Sequence, residues 1–362
     1  MSPFVERYLG RPFSKKSAQH VLIGYYPLDI SWAQIYPFLH YAPQLLDIYN
    51  VEIRCVPVGH ILEGQPLPCG APDVLLFQPW FTTDENSLAQ RLEDILQRHP
   101  QVKISFVDSF AHTDIRLADS VDPYIEFYLK KSLFKDRNNY LRSYRGDTNL
   151  TEYYGDLFQL DQPMVNWNTP ETILPKLRLS PNFHLAPKFL RPIAKGYTPP
   201  KQARPLDMQT RLGKKGSEWY SAMRQHAIEA MGKIGNISTS PENTISYKEY
   251  MAELSASKIC FSPFGYGELC WRDIEAIFAG AVLVKPDMSH LETLPDLYED
   301  NVTYKSVRWD FADLPDVVHN LLQNPEEASH IADQAFQRMS SYICSHQFVS
   351  DMSFLFDSPS SS

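Results

Sequence analysis

Several shortages in this 362-residue chain each exclude a class of protein. No run approaches the roughly 20 apolar residues that a membrane-spanning helix needs. The N-terminal MSPFVERYLGRPFSKKS carries charge where a secretory signal needs about 7–15 apolar residues, so a cytoplasmic protein is expected. Cysteine is sparse: Cys55, Cys69, Cys260, Cys270 and Cys344 are odd in number and lack C-x-x-C spacing, which argues against a disulfide framework and against a zinc site. Positive charge is in deficit. The 34 Lys and Arg against 43 Asp and Glu give a formal net charge of −9, which weighs against a general nucleic-acid binder. The closing DSPSSS reads as a disordered tail.

What the chain has in quantity is aromatic and apolar residues. With 20 Tyr and 20 Phe it is too aromatic for disorder or a coiled coil. The length allows about two domains of roughly 100–200 residues. The apolar runs Val21–Tyr26, Val51–Val58, Asp73–Gln78 and Val102–Val107 alternate with helical stretches at Trp32–Tyr49 and Ser87–His99, the latter with Ser as cap. Strands that are apolar throughout, separated by helices, predict a parallel sheet covered on both faces. A helix is expected over about Tyr124–Tyr144. Periodicity is then lost, and nine prolines between Pro163 and Pro205 mark a boundary. The alternation restarts with strands at Leu206–Leu212, Ile237–Thr239, Lys258–Ser262 and Ala281–Val284, and helices at Ser217–Met231, Ser246–Ser255 and Ile274–Ala279. A helical segment closes the chain from about Pro325 to Phe356. The fold class is thus α/β, two Rossmann-like units joined by a proline-rich linker.

The positive charge is concentrated. Residues 176–233 hold 12 Lys and Arg against 3 Asp and Glu. Ligands of open α/β sheets bind beyond the carboxyl ends of the strands, so a phosphate-bearing partner is expected there. TRLGKKGSEWY places Arg211, Lys214 and Lys215 in a glycine turn before a helix that Ser217 can cap, where backbone N–H groups and the helix dipole face an anion. A solvated basic turn explains the same residues. The segment KICFSPFGYGELCWRDIEAIFAGAVLVKP repeats this logic as strand, turn, helix and strand. Gly265 and Gly267 permit close backbone approach, Tyr266 lies between them, Arg272 adds a cation, and Glu275 can meet ribose hydroxyls. It is not a G-x-G-x-x-G, which disfavours a nicotinamide or flavin oxidoreductase.

This segment resembles the donor-binding segment of GT-B glycosyltransferases. FSPFGYGE, WRDIEAIFAG and VLVKPDMSHLETLPDLY are similar to the exostosin-like and bacterial surface-polysaccharide glycosyltransferases, and TRLGKKG resembles their G-R-L-x-x-x-K-G run. The resemblance covers roughly 207–342. It implies an acceptor-side domain at 1–190, a donor domain at 191–340, and a crossover helix with tail at 341–362. It implies a nucleotide-sugar donor whose diphosphate meets Arg211, Lys215, the Gly265–Gly267 turn and Arg272, with Glu275 on ribose. No cofactor and no metal are implied. Two departures stand: Gly267, not Glu, lies eight before Glu275, and Thr210 precedes Arg211 where the family has Gly.

The base for transfer should come from the first half. After VKISFV follow Asp108, His112 and Asp114 at a strand's carboxyl end; helix capping and a surface histidine explain them equally. Asp108 or His112 is the expected base, with Asp114 nearby. His290 and Glu292 in DMSHLET can reach donor sugar hydroxyls or cap their loop. The acceptor is expected to be a carbohydrate or glycolipid, membrane-held acceptors staying open, with no nucleic acid as partner. A two-domain protein that binds sugar or nucleotide without turnover is the competing reading.

Overall fold

The computed structural model describes residues 6–14, 18–240 and 244–356. The DSPSSS tail and parts of the N-terminal segment lie outside the described residues. In the first half, strands β1 (Gln19–Tyr25), β2 (Val51–Pro57), β3 (Val74–Phe77), β4 (Lys103–Val107) and β5 (Phe127–Lys130) pair in parallel. Among the short strands that follow are β6 (Ser132–Phe134) and β7 (Leu177–Leu179). The sheet runs β2, β1, β3, β4, β5, β7 from edge to edge. Val21, Leu22, Ile23, Leu75, Leu76 and Phe77 have no exposed surface, as strands covered on both faces require. Helices α1 (Asp29–His40), α2 (Ala42–Tyr49) and α3 (Glu85–Arg98) connect them. The cap of α3 is Asp84, whose carboxylate accepts from the Ser87 N–H at 2.8 Å, rather than Ser87 itself.

The helix expected over 124–144 is absent. That stretch forms β5, β6 and a 3-10 turn at Arg137–Tyr140. Tyr128, Leu129, Lys130, Leu133 and Phe134 are all buried, so tertiary packing overrides the local pattern. The proline-rich stretch also holds β7 between Pro175 and Pro181, at the sheet edge where proline is tolerated.

The second half begins at β8 (Leu206–Gln209), which pairs in parallel with β9 (Ser257–Phe261), then β10 (Val282–Pro286) and, skipping β11 (Leu291–Thr293), β12 (Lys305–Val307). The strand expected at Ile237–Thr239 is reduced to one bridge, Met208 to Thr239. Helices α4 (Asn149–Phe158), α5 (Pro187–Ile193), α6 (Glu218–Gly232), α7 (Tyr247–Ser255), α8 (Trp271–Ala279) and α9 (Pro325–Cys344) complete the elements used below. The chain is therefore a pair of α/β units, each on its own parallel sheet.

The halves are stitched together. β11 runs antiparallel to β6, Leu291 opposite Phe134 and Thr293 opposite Ser132, and the Lys135 N–H extends the ladder by donating to the His290 carbonyl at 2.9 Å. After α9 the chain returns to the first half. The Tyr41 hydroxyl donates to the Ile343 carbonyl at 2.9 Å, Phe348 packs on Phe38 and Tyr41, and Phe354 packs on Phe127. This is the crossover expected of the C-terminal helix. The loops after β4 and β9 thus meet at one junction.

Candidate active site

A cavity of ≈ 390 Å³ opens at that junction. The first half lines it with Ile30, Trp80, Phe81, Ser109, Phe110, Ala111, His112 and Asp147, the second with Ser217, Trp219 and Tyr266. A second cavity, ≈ 320 Å³, lies wholly within the first half between Gln65–Ala71 and Arg98–His99. It holds no carboxylate and takes nothing from the second half, so the junction is where chemistry can assemble.

His112 lines the chamber with a titratable ring. Its ring is 5% exposed and stacks on Phe110 with centroids 4.7 Å apart. Its Nδ1 lies 3.6 Å from Asp147 Oδ2 and 3.9 Å from Asp114 Oδ2, and is buried with no hydrogen-bond partner. Burial lowers its pKa below the usual 6.5, and the two carboxylates only partly oppose this. A neutral imidazole can take a proton, and the resulting cation would be met by the two carboxylates.

The carboxylates are held by one guanidinium. Arg116 donates to Asp114 through Nε at 2.8 Å and Nη2 at 2.9 Å, and from Nη2 to Asp147 at 3.1 Å. Burial raises the Asp114 pKa, but Arg116 outweighs it and keeps the carboxyl below its ordinary value. The guanidinium lies over the Phe110 and Trp167 rings, 4.1 and 4.4 Å from their centroids. Trp167 Nε1 donates to the Asp147 carbonyl. Asp147 escaped the sequence reading; its signal was the turn R-G-D-T before α4, with Gly146 at φ 79° and Thr148 capping the helix.

Asp108 has another task. Its Oδ1 accepts from the Phe110 N–H at 2.7 Å, and its Oδ2 from the Tyr128 hydroxyl at 2.7 Å and Lys130 Nζ at 2.8 Å. Both oxygens are committed, Oδ1 to the local backbone and Oδ2 to a buried ion pair that ties the end of β4 to β5. Of the two candidate bases, only His112 faces the chamber.

On the second half, the Gly265–Gly267 turn closes on itself, Gly265 N–H to Gly267 carbonyl at 3.0 Å, and presses against the first half. A Cβ on Gly267 would stand 1.8 Å from the Ala111 carbonyl oxygen, so only glycine fits this approach. Tyr266 is 44% exposed, stacks on Tyr220, and accepts from the Ser217 N–H at the start of α6. The next residue, Glu268, reaches across the junction: it accepts from Thr113 at 2.8 Å and Asn149 at 2.9 Å, with His290 Nε2 at 3.5 Å. Burial pushes its pKa up, yet these partners bring it down to about 2. Glu292 pairs with Arg137 beside the β6–β11 ladder.

The cations divide into committed and open groups. Arg211 grips Glu253 through Nε and Nη2 at 2.8 and 2.7 Å. Lys215 is exposed in the loop before α6. Glu275 accepts from Lys188 at 2.8 Å and Tyr247 at 3.2 Å. Arg272 donates to the Arg211 carbonyl at 2.5 Å, while its buried Nε has no hydrogen-bond partner. Arg224, which the sequence reading did not single out, donates to the Phe264 carbonyl at 2.6 Å and also keeps a buried, unpartnered Nε. Burial first, then repulsion from Arg272, lowers its pKa. Among the described residues neither arginine forms an ion pair, so two guanidiniums converge by the glycine turn with N–H capacity to spare. Among the described residues no group of three His, Cys, Asp or Glu could hold a metal ion, and no helix is long and apolar enough to cross a membrane.

Residues 213–352 match the family model described as glycosyl transferase-like. No curated protein matches the chain in sequence. Among solved structures, TarM of S. aureus is similar over 79% of this chain and 55% of its own, at 13% identity and TM-score 0.45, so this chain spans about half of TarM. An alpha-glucosyltransferase solved with UDP is similar over 92% of this chain and 99% of its own, at 10% identity and TM-score 0.49. Anabaena HepE, solved with UDP-glucose, is similar over 92% and 98%, at 10% identity and TM-score 0.42.

Proposed function

We propose that this chain is a glycosyltransferase that moves a sugar from a nucleotide-diphosphate donor to a hydroxyl of a carbohydrate or glycolipid acceptor. The observation that carries the reading is His112: a buried imidazole beside the Asp147 and Asp114 carboxylates, in a chamber built by both halves. The glycosyl transferase-like match of the second half supports it. In this reading residues 1–190 form the acceptor side and 191–340 the donor side. The acceptor hydroxyl gives its proton to His112 as its oxygen attacks the anomeric carbon, and the bond from that carbon to the diphosphate oxygen breaks. Arg224, Arg272 and Lys215 stabilise the departing diphosphate, which removes the need for a bound metal. Arg211, Gly265, Tyr266, Gly267 and His290 complete the donor edge, and Glu275 meets ribose once Lys188 yields. The protein works in the cytoplasm.

Release of nucleoside diphosphate from a panel of nucleotide sugars, with and without EDTA, tests this. Turnover that H112A lowers by about 10²–10⁴-fold and EDTA leaves unchanged is expected. Nucleotide binding without any turnover would instead favour the binding-protein reading.

A further inference from the structure

The chamber supplies few polar atoms. Ser109 Oγ and His112 Nδ1 are buried in it without partners, and the Asp147 carboxylate sits 3.6 Å from the imidazole. Most of the remaining wall is ring surface. Trp80, Phe81 and Phe110 form one side, with centroids 4.7 Å apart for the first pair and 4.1 Å for the second, and Tyr26 stacks behind Trp80 at 4.9 Å. Trp219 and Tyr266 face them from the second half. Trp80 is only half-buried, so its indole is available to a ligand.

A free oligosaccharide carries hydroxyls around each ring, and every one that enters without a partner loses its water uncompensated. Ser109, His112, Asp147 and Ser217, with the Tyr266 hydroxyl, are too few to match that set. An apolar body beside one reacting hydroxyl matches it well, because rings on both sides exchange water for carbon contact. The volume, ≈ 390 Å³, is within the range of small-molecule sites. Resting on the transferase reading above, we infer that the acceptor is an amphiphile: its reacting hydroxyl stands at His112 and its apolar aglycone fills the aromatic chamber. Aryl and alkyl aglycones share the chemistry, and the test separates them.

The intact protein is titrated calorimetrically with 2-naphthyl glucoside, octyl glucoside and maltose, and separately with nucleoside diphosphates. At least one of the two amphiphiles is expected to bind tenfold or more tighter than maltose; the tighter of the two identifies the aglycone class. W80A should erase this preference, W80F should keep most of it, and both should bind nucleoside diphosphate as the parent does. Maltose binding as tightly as both glucosides, or a preference that survives W80A, overturns the inference. Amphiphile preference without nucleoside-diphosphate binding would uphold the chamber assignment and sink the transferase reading instead.

Discussion

A histidine shut among rings is held neutral by the cost of burying charge, and His112 is such a residue. H112A should lower turnover by about 10²–10⁴-fold, the usual contribution of a positioned base, while leaving the fold intact. The pH dependence carries a sign. The active form is the neutral ring and its pKa is lowered, so turnover should stay level through neutral pH and fall only as pH drops through a value below 6.5. Asp147 opposes that lowering, so D147N should move the acid limb to still lower pH; a limb that moves upward, or stays put, would remove His112 from the role. Glu268 makes a second prediction at this scale. Its folded pKa, about 2, lies below the ordinary 4.5, so its stabilisation is complete above pH 4.5 and is lost as pH falls toward 2. Acid unfolding of E268Q should lose the part of the parent's pH dependence that falls in this window.

At the scale of elements, the junction depends on backbone approaching backbone. In G267A a methyl group would meet the Ala111 carbonyl, which cannot swing aside as a side chain could. A loss of at least about 1–3 kcal/mol is expected, read as a lowered melting temperature, whereas G213A, whose added Cβ meets nothing within 4 Å, should melt as the parent does. The elements themselves were unequally legible. VLIG, VLLF and ISFV declare themselves because parallel strands bury both faces. β5 does not, because its Lys130 reads as solvent-facing until Asp108, 22 residues away, is seen to neutralise it. The β6–β11 ladder joins segments too distant for any local pattern to announce. The site divides in the same way. His112 could be found from its place after β4, while Asp147 and Arg224 acquire meaning only when loop and helix face are folded against the junction.

At the scale of the whole molecule, two α/β units share a chamber, a strand ladder and a returning C-terminal segment, and a junction of this kind suits a reaction between two substrates. In the transferase reading each half presents one of them: the second half converges cations, and the first places His112 at the chamber. The most direct measurement is a thermal-shift series of the intact protein with UDP, GDP, ADP, CMP and NAD. A ligand at 100 times its Kd stabilises by about 2.7 kcal/mol, well within reach of the method. One nucleoside diphosphate should raise the melting temperature, with a smaller rise at the same concentration in K215A, whose side chain is exposed and whose loss leaves the fold alone. Stabilisation by NAD alone, or by none of the five, would contradict a nucleotide-sugar site between these halves.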